Sequence, residues 1–191
     1  MPQPPHEPHE IARQTRYTGK FISLDLIRWA DAAGTERAWE SAERTGGPQA
    51  VIIIARLQPS NRLVLIRQYR PPARGLVIEF PAGIIDAPES PAQAALREMV
   101  EETGYHGVME QLVPASLNSP GLTSEAVYTV LMTIDEKLPA NQHPVAHPDE
   151  GESIEVLLVH QDQLAAFITE QTAAGARFDS KVIAYAVGLA M

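Results

Sequence analysis

The segment from Gly83 to Tyr105, GIIDAPESPAQAALREMVEETGY, restricts what this chain can fold into more than any other part of the sequence. Ser90 is suited to cap a helix N-terminus, and Pro91 then occupies the first helical position, where its missing N–H leaves no hydrogen bond unmade. The residues from Ala92 to Thr103 predict a helix. Gly104 supplies the left-handed residue that ends it. The segment therefore predicts a loop, a capped helix and a defined stop.

Two faces of this helix differ in chemistry at about 100° per residue. One face must pack on a core and comprises Ala92, Ala95, Leu96, Met99 and Thr103, with Val100 at its margin. Glu98, Glu101 and Glu102 fall together on the opposite face. Like charges at this spacing destabilise a helix by roughly 0.2–0.5 kcal/mol each, and the macrodipole disfavours negative charge near the C-terminus. A solvated acidic face leaves both effects unexplained, whereas a divalent cation bound by carboxylates relieves them, so we predict a metal site.

The spacing of glycine, glutamate and arginine in this segment resembles the Nudix box. The matching positions are Gly83, Glu89, Arg97, Glu98, Glu101, Glu102 and Gly104, with an apolar Met99 and a bulky Tyr105 where the pattern has them. The resemblance implies hydrolysis of a nucleoside diphosphate linked to another group, with Mg²⁺ or Mn²⁺ as cofactor. It implies that Glu98 and Glu102 are the main metal ligands, with Glu101 close by. It also implies a Glu89–Arg97 ion pair that holds the loop against the helix.

Composition and charge exclude several other classes of protein. A length of 191 residues suffices for one core-forming domain and an appendage. A net charge of −9 argues against binding to a nucleic-acid backbone. The absence of cysteine excludes disulfides and thiol catalysis. No apolar run approaches the roughly 18 residues of a membrane span, and the N-terminus lacks the features of a signal peptide, so we expect a cytoplasmic protein.

The chain divides into three predicted parts. Residues 1–10 are rich in proline and predict a disordered tail. Residues 11–48 predict an antiparallel β appendage and 49–191 the catalytic domain, separated by the TGGP break. Within the appendage, Phe21–Trp29 predicts one strand of a hairpin. Glu36–Arg44 predicts the second strand, although its composition also suits a helix.

Beyond residue 49, short β-branched runs alternate with turn signals and predict further strands. The strands are 50–57, 62–69, 76–80, 111–117, 126–134 and 153–160, and two more helices are predicted at 162–171 and 181–190. Strands in the middle with helices interspersed and at the end predict an α+β fold, a mixed sheet between helices in an α/β/α sandwich. The resemblance adds that this is the Nudix fold.

Motifs outside the box look like those of the ADP-ribose pyrophosphatase branch of the Nudix family. They are Gln68-Tyr69-Arg70-Pro71-Pro72, Phe80-Pro81-Ala82-Gly83 and Ser119-Pro120-Gly121-Leu122. A strand ending at Ala82 would present its carbonyl as a further metal ligand. Arg70 suits a phosphate contact because a guanidinium offers paired donors. Glu79 could orient a water, accept from a ribose hydroxyl, or pair with Arg70.

The same branch implies an adenine site and a homodimer. Trp39 and Glu40, followed by Arg44, resemble the segment with which the branch grips its base, and Leu122 belongs to the same pattern. By position, Phe21 would form the other side of an aromatic clamp, with a smaller ring than the tryptophan that relatives can carry. In this branch the N-terminal sheets exchange between subunits, and the interface completes the base site.

A hydrolase must also activate water. In the resembling branch, the glutamate that precedes a strand, here Glu152, acts as general base from a loop, with Asp149 and Glu150 as rivals. We therefore expect a homodimeric ADP-ribose pyrophosphatase that releases AMP and ribose 5-phosphate. The alternatives are the same chemistry on ADP-glucose or GDP-mannose, and a non-catalytic nucleotide-sensing module built on the same fold.

Overall fold

The computed structural model of the chain describes residues 7–47 and 49–191, which form two compact units. The first unit contains the N-terminal sheet together with Ala115–Val127. The second unit contains Ala50–Pro114 and Tyr128–Met191. The sequence placed the boundary at residue 48 and assigned everything beyond it to the catalytic domain. The grouping of 115–127 with the N-terminal sheet is not visible in local composition.

The N-terminal sheet has three antiparallel strands in the order β1 (His9–Thr18), β2 (Ile22–Ala30) and β3 (Glu36–Arg44). The predicted hairpin of β2 and β3 is confirmed, and the helical alternative for Glu36–Arg44 is wrong, because all nine residues pair with β2. The turn between them forms because the Asp31 carboxylate accepts from the amides of Ala33 and Thr35.

Strand β1 was not predicted. Its sequence, HEIARQTRYT, lacks apolar alternation, and the strand is exposed along its whole length. Long-range pairing with β2, rather than burial of one face, forms it. The predicted disordered tail therefore differs from the structure at His9 and Glu10, which lie in β1; residues 1–6 of that tail are outside the described residues.

The second sheet has eight strands. They are β4 (Ala50–Gln58), β5 (Arg62–Arg70), β6 (Gly75–Glu79), β7 (Ala82–Ile84), β8 (Val108–Leu117), β9 (Ala126–Asp135), β10 (Ile154–His160) and β11 (Arg177–Phe178). Their order is β11-β6-β5-β4-β9-β8, with β10 paired to β5 and β7 to β4. Because β11 runs parallel to β6 while β5 runs antiparallel to it, the sheet is mixed, as predicted.

Helices cover both faces of this sheet. They are α1 (Pro91–Thr103), α2 (Pro139–Gln142), α3 (Leu164–Ala173) and α4 (Ser180–Leu189). Ala95 and Met99 of α1 pack into one buried cluster, and Leu164 of α3 and Val182 of α4 pack into the other. The predicted α/β/α sandwich is thus confirmed. None of the helices in the described ranges is long and apolar enough to cross a membrane.

Helix α1 begins and ends as its sequence predicts. The Ser90 hydroxyl accepts from the Gln93 amide while the Gln93 side chain accepts from the Ser90 amide, which is a complete capping box. Gly104 ends the helix with φ +74°.

The buried face of α1 differs from the predicted one at three residues. Leu96 is 42% exposed, whereas Ala94 is fully buried. Small side chains at positions 94 and 95 let the helix approach the sheet closely. Helical periodicity alone places the larger Leu96 on the buried face instead. Glu102, predicted to lie opposite the apolar face, is only 3% exposed. The buried stripe is therefore rotated toward the carboxylates.

Candidate active site

Strand β7 and helix α1 meet at Gly83. A Cβ atom built on Gly83 would lie 1.8 Å from Oε1 and 1.9 Å from Cδ of Glu98. The Glu98 side chain therefore lies directly on the backbone of β7, and only glycine leaves room for it. This contact explains in atomic terms why a glycine at the start of the motif and a glutamate fifteen residues later belong together.

The predicted ion pair between Glu89 and Arg97 is present. Arg97 Nε and Nη2 donate to the two oxygens of Glu89 at 2.8 Å and 2.9 Å, and Nη2 also donates to the Ile84 carbonyl at 3.0 Å. A bidentate guanidinium–carboxylate pair is geometrically specific. It fastens the loop that precedes α1 to the body of the helix.

The same guanidinium also holds two of the predicted metal ligands. Arg97 Nη1 donates to Glu98 Oε1 at 2.8 Å and to Glu101 Oε2 at 2.9 Å. The sequence predicted only the pairing of Arg97 with Glu89. The i,i+4 spacing of Arg97 and Glu101, which places the two side chains on one helix face, is the signal in the sequence for the second contact.

Glu102 is the most deeply buried carboxylate of the cluster. Its Oε2 accepts from the Ala82 amide at 3.0 Å. Burial raises the pKa of Glu102 to about 8, against the opposing effect of that hydrogen bond. Burial likewise raises the pKa of Glu98 to about 6, although Arg97 lowers it. Two neighbouring acids, one buried and one half-buried, whose charged forms are disfavoured in this way are typical of functional sites.

These residues fit a divalent cation by donor chemistry. Within residues 7–47 and 49–191, no three acidic or histidine side chains converge in a ready-made metal site. The reason is visible in the contacts, since Arg97 holds Glu98 and Glu101 while the Ala82 amide holds Glu102. Carboxylate oxygens are nevertheless the ligands that hard cations prefer, and a cation would add positive charge beside Glu98 and Glu102.

We expect the unfolding free energy of the metal-free protein to fall as pH rises from about 5 to about 8. Both glutamates have a folded-state pKa above the ordinary value of 4.5, at about 6 for Glu98 and about 8 for Glu102. The folded state therefore binds more protons than the unfolded state in this range, so its stability decreases with pH. Because the deprotonated carboxylates are the form that binds a cation, added Mg²⁺ should raise the Tm more at pH 8 than at pH 6.

Thermal melts in EDTA and in Mg²⁺ across this pH range measure both effects. The Glu102→Gln variant is the control, since it should lose most of the pH dependence. A Tm in EDTA that rises steadily between pH 5 and 8, with a cation effect independent of pH, contradicts the assignment.

The loop that carries the three candidate bases is fastened to the end of α1. The His147 amide donates to the Glu101 carbonyl at 2.8 Å. A Cβ atom on Gly104 would lie 2.3 Å from the backbone nitrogen of Val145, so Gly104 is needed for this approach as well as for its positive φ. Helix α1 therefore positions the metal-ligand candidates and the start of the loop together.

Among the three candidate bases, Glu152 has the clearest link to the carboxylate cluster. Its side chain is exposed, and its negative charge adds, after burial as the largest cause, to the raised pKa of both Glu98 and Glu102. Asp149 and Glu150 are not among those causes. The Glu152 amide donates to the Asp149 carbonyl at 3.0 Å, which closes a turn just before β10.

Arg70 and Glu79 form an ion pair, one of the alternatives that the sequence left open. Arg70 Nε donates to Glu79 Oε1 at 2.8 Å. Burial raises the pKa of Glu79, while Arg70 opposes the shift. The Arg70 side chain remains 40% exposed, so the pair leaves part of the guanidinium accessible to a ligand.

The predicted base-binding residues lie in the first unit. Trp39 is 49% exposed and donates from Nε1 to the Gly121 carbonyl at 3.1 Å, which fixes the edge of the indole. Phe21 is 70% exposed, with the Lys20 ammonium 4.8 Å from its ring centre. Glu40 is exposed on β3. The two aromatic rings are therefore exposed and accessible to a ligand.

The segment that contains Leu122 is fastened to β3. The Leu122 carbonyl accepts from the Ala42 amide at 2.8 Å and from the Ser41 hydroxyl at 3.2 Å, while its side chain is 57% exposed. Arg44 forms an ion pair with Glu125. Sequence reasoning grouped Arg44 and Leu122 with a base site but missed this anchoring, because its partners are about 80 residues apart in the chain.

Comparisons with known proteins agree on one family. The NUDIX domain family matches residues 47–183. An ADP-ribose pyrophosphatase of Saccharomyces cerevisiae is 36% identical over 190 residues, covering 94% of this chain and 82% of the yeast protein. An ADP-sugar pyrophosphatase of Mus musculus is 35% identical over 182 residues, covering 90% and 82%. A crystal structure of an ADP compounds hydrolase shares the fold, with a TM-score of 0.65 at 20% identity over 86% of this chain and 84% of that one.

Proposed function

Since the chain belongs to the Nudix hydrolase family, we propose that it hydrolyses the diphosphate of ADP-ribose to AMP and ribose 5-phosphate. The observation that carries the proposal is the pair of carboxylates at the junction of β7 and α1, the buried Glu102 and the half-buried Glu98. Relatives named for ADP-ribose and ADP-sugars support the substrate class. The absence of cysteine fits a reducing compartment, and we propose the cytoplasm.

Nudix hydrolases generally use divalent metal ions. For this chain we propose Mg²⁺, with Mn²⁺ as the alternative, held by Glu98, Glu102, the nearby Glu101 and the Ala82 carbonyl. When bound, the cation supplies positive charge against the negative charge that grows on the diphosphate oxygens. Arg97 donates hydrogen bonds to Glu98 and Glu101 and so fixes their orientation.

The remaining groups act on water and on the phosphates. We propose that Glu152 accepts a proton from the water that attacks one phosphorus, while the bond from that phosphorus to the bridging oxygen breaks. The exposed part of the Arg70 guanidinium would contact a phosphate oxygen, and its ion pair with Glu79 would restrict its motion. Glu79 would thereby position Arg70.

Adenine binding is proposed for the first unit. Trp39 offers an exposed indole face whose edge is fixed by the Gly121 carbonyl, and Phe21 offers a second exposed ring. Stacking on such a ring is worth about 1–3 kcal/mol per base. Glu40, Arg44 and the exposed side chain of Leu122 would complete the contacts to the nucleoside.

A homodimer is also part of the proposal. Within the described residues, the first unit buries few apolar side chains, chiefly those of Ala30 and Val127. Its exposed apolar side chains include Ile11, Tyr17, Ile22 and Leu24. A unit of this size without a core of its own needs a partner surface, and a second copy of the same sheet, with or without exchange of strands, would provide it.

The experiment is a substrate panel of ADP-ribose, ADP-glucose and GDP-mannose, assayed with Mg²⁺ and with EDTA. We expect the highest kcat/KM for ADP-ribose, products identified as AMP and ribose 5-phosphate, and no turnover in EDTA. The Trp39→Ala variant should raise KM for ADP-ribose by about 10-fold with a smaller effect on kcat, because stacking contributes mainly to binding.

Two outcomes contradict the proposal in different ways. A higher kcat/KM for ADP-glucose or GDP-mannose would keep the chemistry and replace the substrate. Tight binding of one compound without turnover of any would favour a nucleotide-sensing module.

A further inference from the structure

A cavity of about 380 Å³ opens in the second unit, where the beginning of β6 meets the turn after α3. Three arginines line it, Arg67 of β5, Arg74 just before β6, and Arg177 of β11. Gln171 and the turn 174–176 close the remaining side. The site described above uses none of these residues. We call this cavity the arginine pocket.

The arginine pocket lies at the β11 edge of the sheet and takes residues from both faces of β6. Leu76 shares a face with Ile78, which packs in the core cluster that contains α3 and α4. Arg177 is paired with Val77, so it shares the other face with Gly75 and Glu79. The Arg70–Glu79 ion pair does not involve the residues that line the pocket.

Only one of the three arginines that line the pocket is paired with an acid among residues 7–47 and 49–191. Arg67 pairs with Glu155, its Nε lying 2.8 Å from Oε2. Arg74 and Arg177 have no ion pair with any of the residues 7–47 and 49–191. Two unneutralised guanidiniums in one cavity are unusual in a chain whose net charge is −9.

The C-terminus of α3 does not satisfy these arginines either. Its free carbonyls already accept backbone bonds, at Glu170 from Ala174 (3.0 Å), at Gln171 from Ala176 (2.9 Å) and at Thr172 from Gly175 (3.0 Å). The turn after the helix therefore closes on itself. The guanidinium donors of the pocket are left for an external acceptor.

The Arg177 guanidinium lies close to the backbone of Gly75, the residue that follows Arg74. A Cβ atom built on Gly75 would lie 3.6 Å from Arg177 Nη1, so this guanidinium extends over the residue next to Arg74. Arg74 has φ +52° and ψ 40°, a left-handed conformation that is uncommon outside glycine, and its amide donates to the Pro71 carbonyl at 3.0 Å. Such a constrained start of β6 reduces the freedom with which Arg74 can move away from Arg177.

We propose that the arginine pocket binds the phosphate group of a small phosphomonoester, at a second site whose lining residues are distinct from the catalytic carboxylates. A guanidinium donates paired N–H groups that match phosphate oxygens, and two such groups meet the charge of a dianion. The cavity volume accommodates a sugar phosphate. The Gln171 side chain adds amide and carbonyl groups for the hydroxyls of the sugar.

The test is calorimetric titration of the full-length protein in EDTA with glucose 6-phosphate, with glucose and inorganic phosphate as comparison ligands. We expect saturable one-to-one binding of glucose 6-phosphate, weaker binding of inorganic phosphate and none of glucose. The variants Arg74→Gln and Arg177→Gln should each weaken binding about tenfold. Hydrogen exchange should slow at 171–177 only when the phosphomonoester is present.

Two matched variants locate the binding. Arg16→Gln removes the same charge from β1 and should bind as the wild type does, and Arg70→Gln tests whether the ligand binds at the proposed catalytic site instead. The proposal is overturned by no saturable binding up to about 10 mM, the range of very weak ligands. It is also overturned if Arg70→Gln abolishes binding while the pocket variants retain it, or if inorganic phosphate binds as tightly as the phosphomonoester. None of these readouts depends on turnover. A failure of the protein to bind the phosphomonoester is therefore distinguishable from a failure to hydrolyse ADP-ribose.

Discussion

Glu98→Gln and Glu102→Gln are each expected to lower kcat by about 10³-fold or more. A loss of this size corresponds to about 4 kcal/mol of transition-state stabilisation, which is within what a bound cation supplies to a developing oxyanion. Glutamine keeps the size of the side chain but not its charge, so the fold should persist. Steady-state hydrolysis of ADP-ribose in Mg²⁺ measures the loss.

The same substitution at Glu102 should have the opposite effect on stability. Glu102 is 3% exposed, and burial raises its pKa to about 8. Removing a charge that the folded state disfavours should stabilise the metal-free protein at pH 8 by on the order of 2 kcal/mol. Glutamine can still accept from the Ala82 amide, so the hydrogen bond to β7 is kept. Gain of stability with loss of activity distinguishes a functional carboxylate from a structural one.

Glu170→Gln is the matched control for both variants, because Glu170 is an exposed carboxylate on α3. It should change neither kcat nor the Tm in EDTA. Full turnover by Glu98→Gln or by Glu102→Gln would remove the metal assignment from that residue.

Gly83→Ala is expected to abolish most activity with little change in stability. The added methyl group would overlap Cδ and Oε1 of Glu98, at 1.9 Å and 1.8 Å, and these are the far end of a flexible side chain. Glu98 can move aside, so the free energy of unfolding should change by about 1 kcal/mol or less. The displaced carboxylate can no longer bind a cation in place, and kcat/KM should fall about 10²-fold or more. Mg²⁺ dependence of activity and a denaturant melt measure the two effects.

Gly104→Ala is expected to have the opposite pattern, with its main effect on stability. Here the added methyl group would meet the backbone of Val145 at 2.3 Å, and the residue has φ +74°. Neither the loop nor the dihedral can adjust without strain, so we expect about 2 kcal/mol of destabilisation. If Gly83→Ala retained wild-type activity and cation dependence, Glu98 would not act from the position seen on β7.

The features that were predicted correctly from the sequence depend on residues that are close to each other in the chain. Ser90, Pro91 and Gly104 bound α1 because caps and stops involve residues within one turn of each other. Strands such as Ala50–Gln58 are recognisable because their β-branched runs are bounded by turn signals. The identity of the acidic cluster, and with it the Nudix family, follows from spacing in one continuous segment of the chain.

Some elements could not be predicted because distant partners decide them. Strand β1 carries no alternation of its own and exists through pairing with β2. The 115–127 segment belongs with the N-terminal unit through contacts such as those of the Leu122 carbonyl with β3. The arginine pocket brings together Arg67, Arg74 and Arg177, which are up to 110 positions apart in the chain.

The sequence by itself determined where the helix of carboxylates begins and ends, which residues carry negative charge, and which family they belong to. Only the tertiary structure decided that Glu102 is buried, that Glu98 lies on the backbone of Gly83, and that Arg97 joins Glu89 to two further carboxylates. The physical reason is that spacing sets which side chains share a helix face, whereas burial, and the pKa that follows from it, depend on which surface approaches that face.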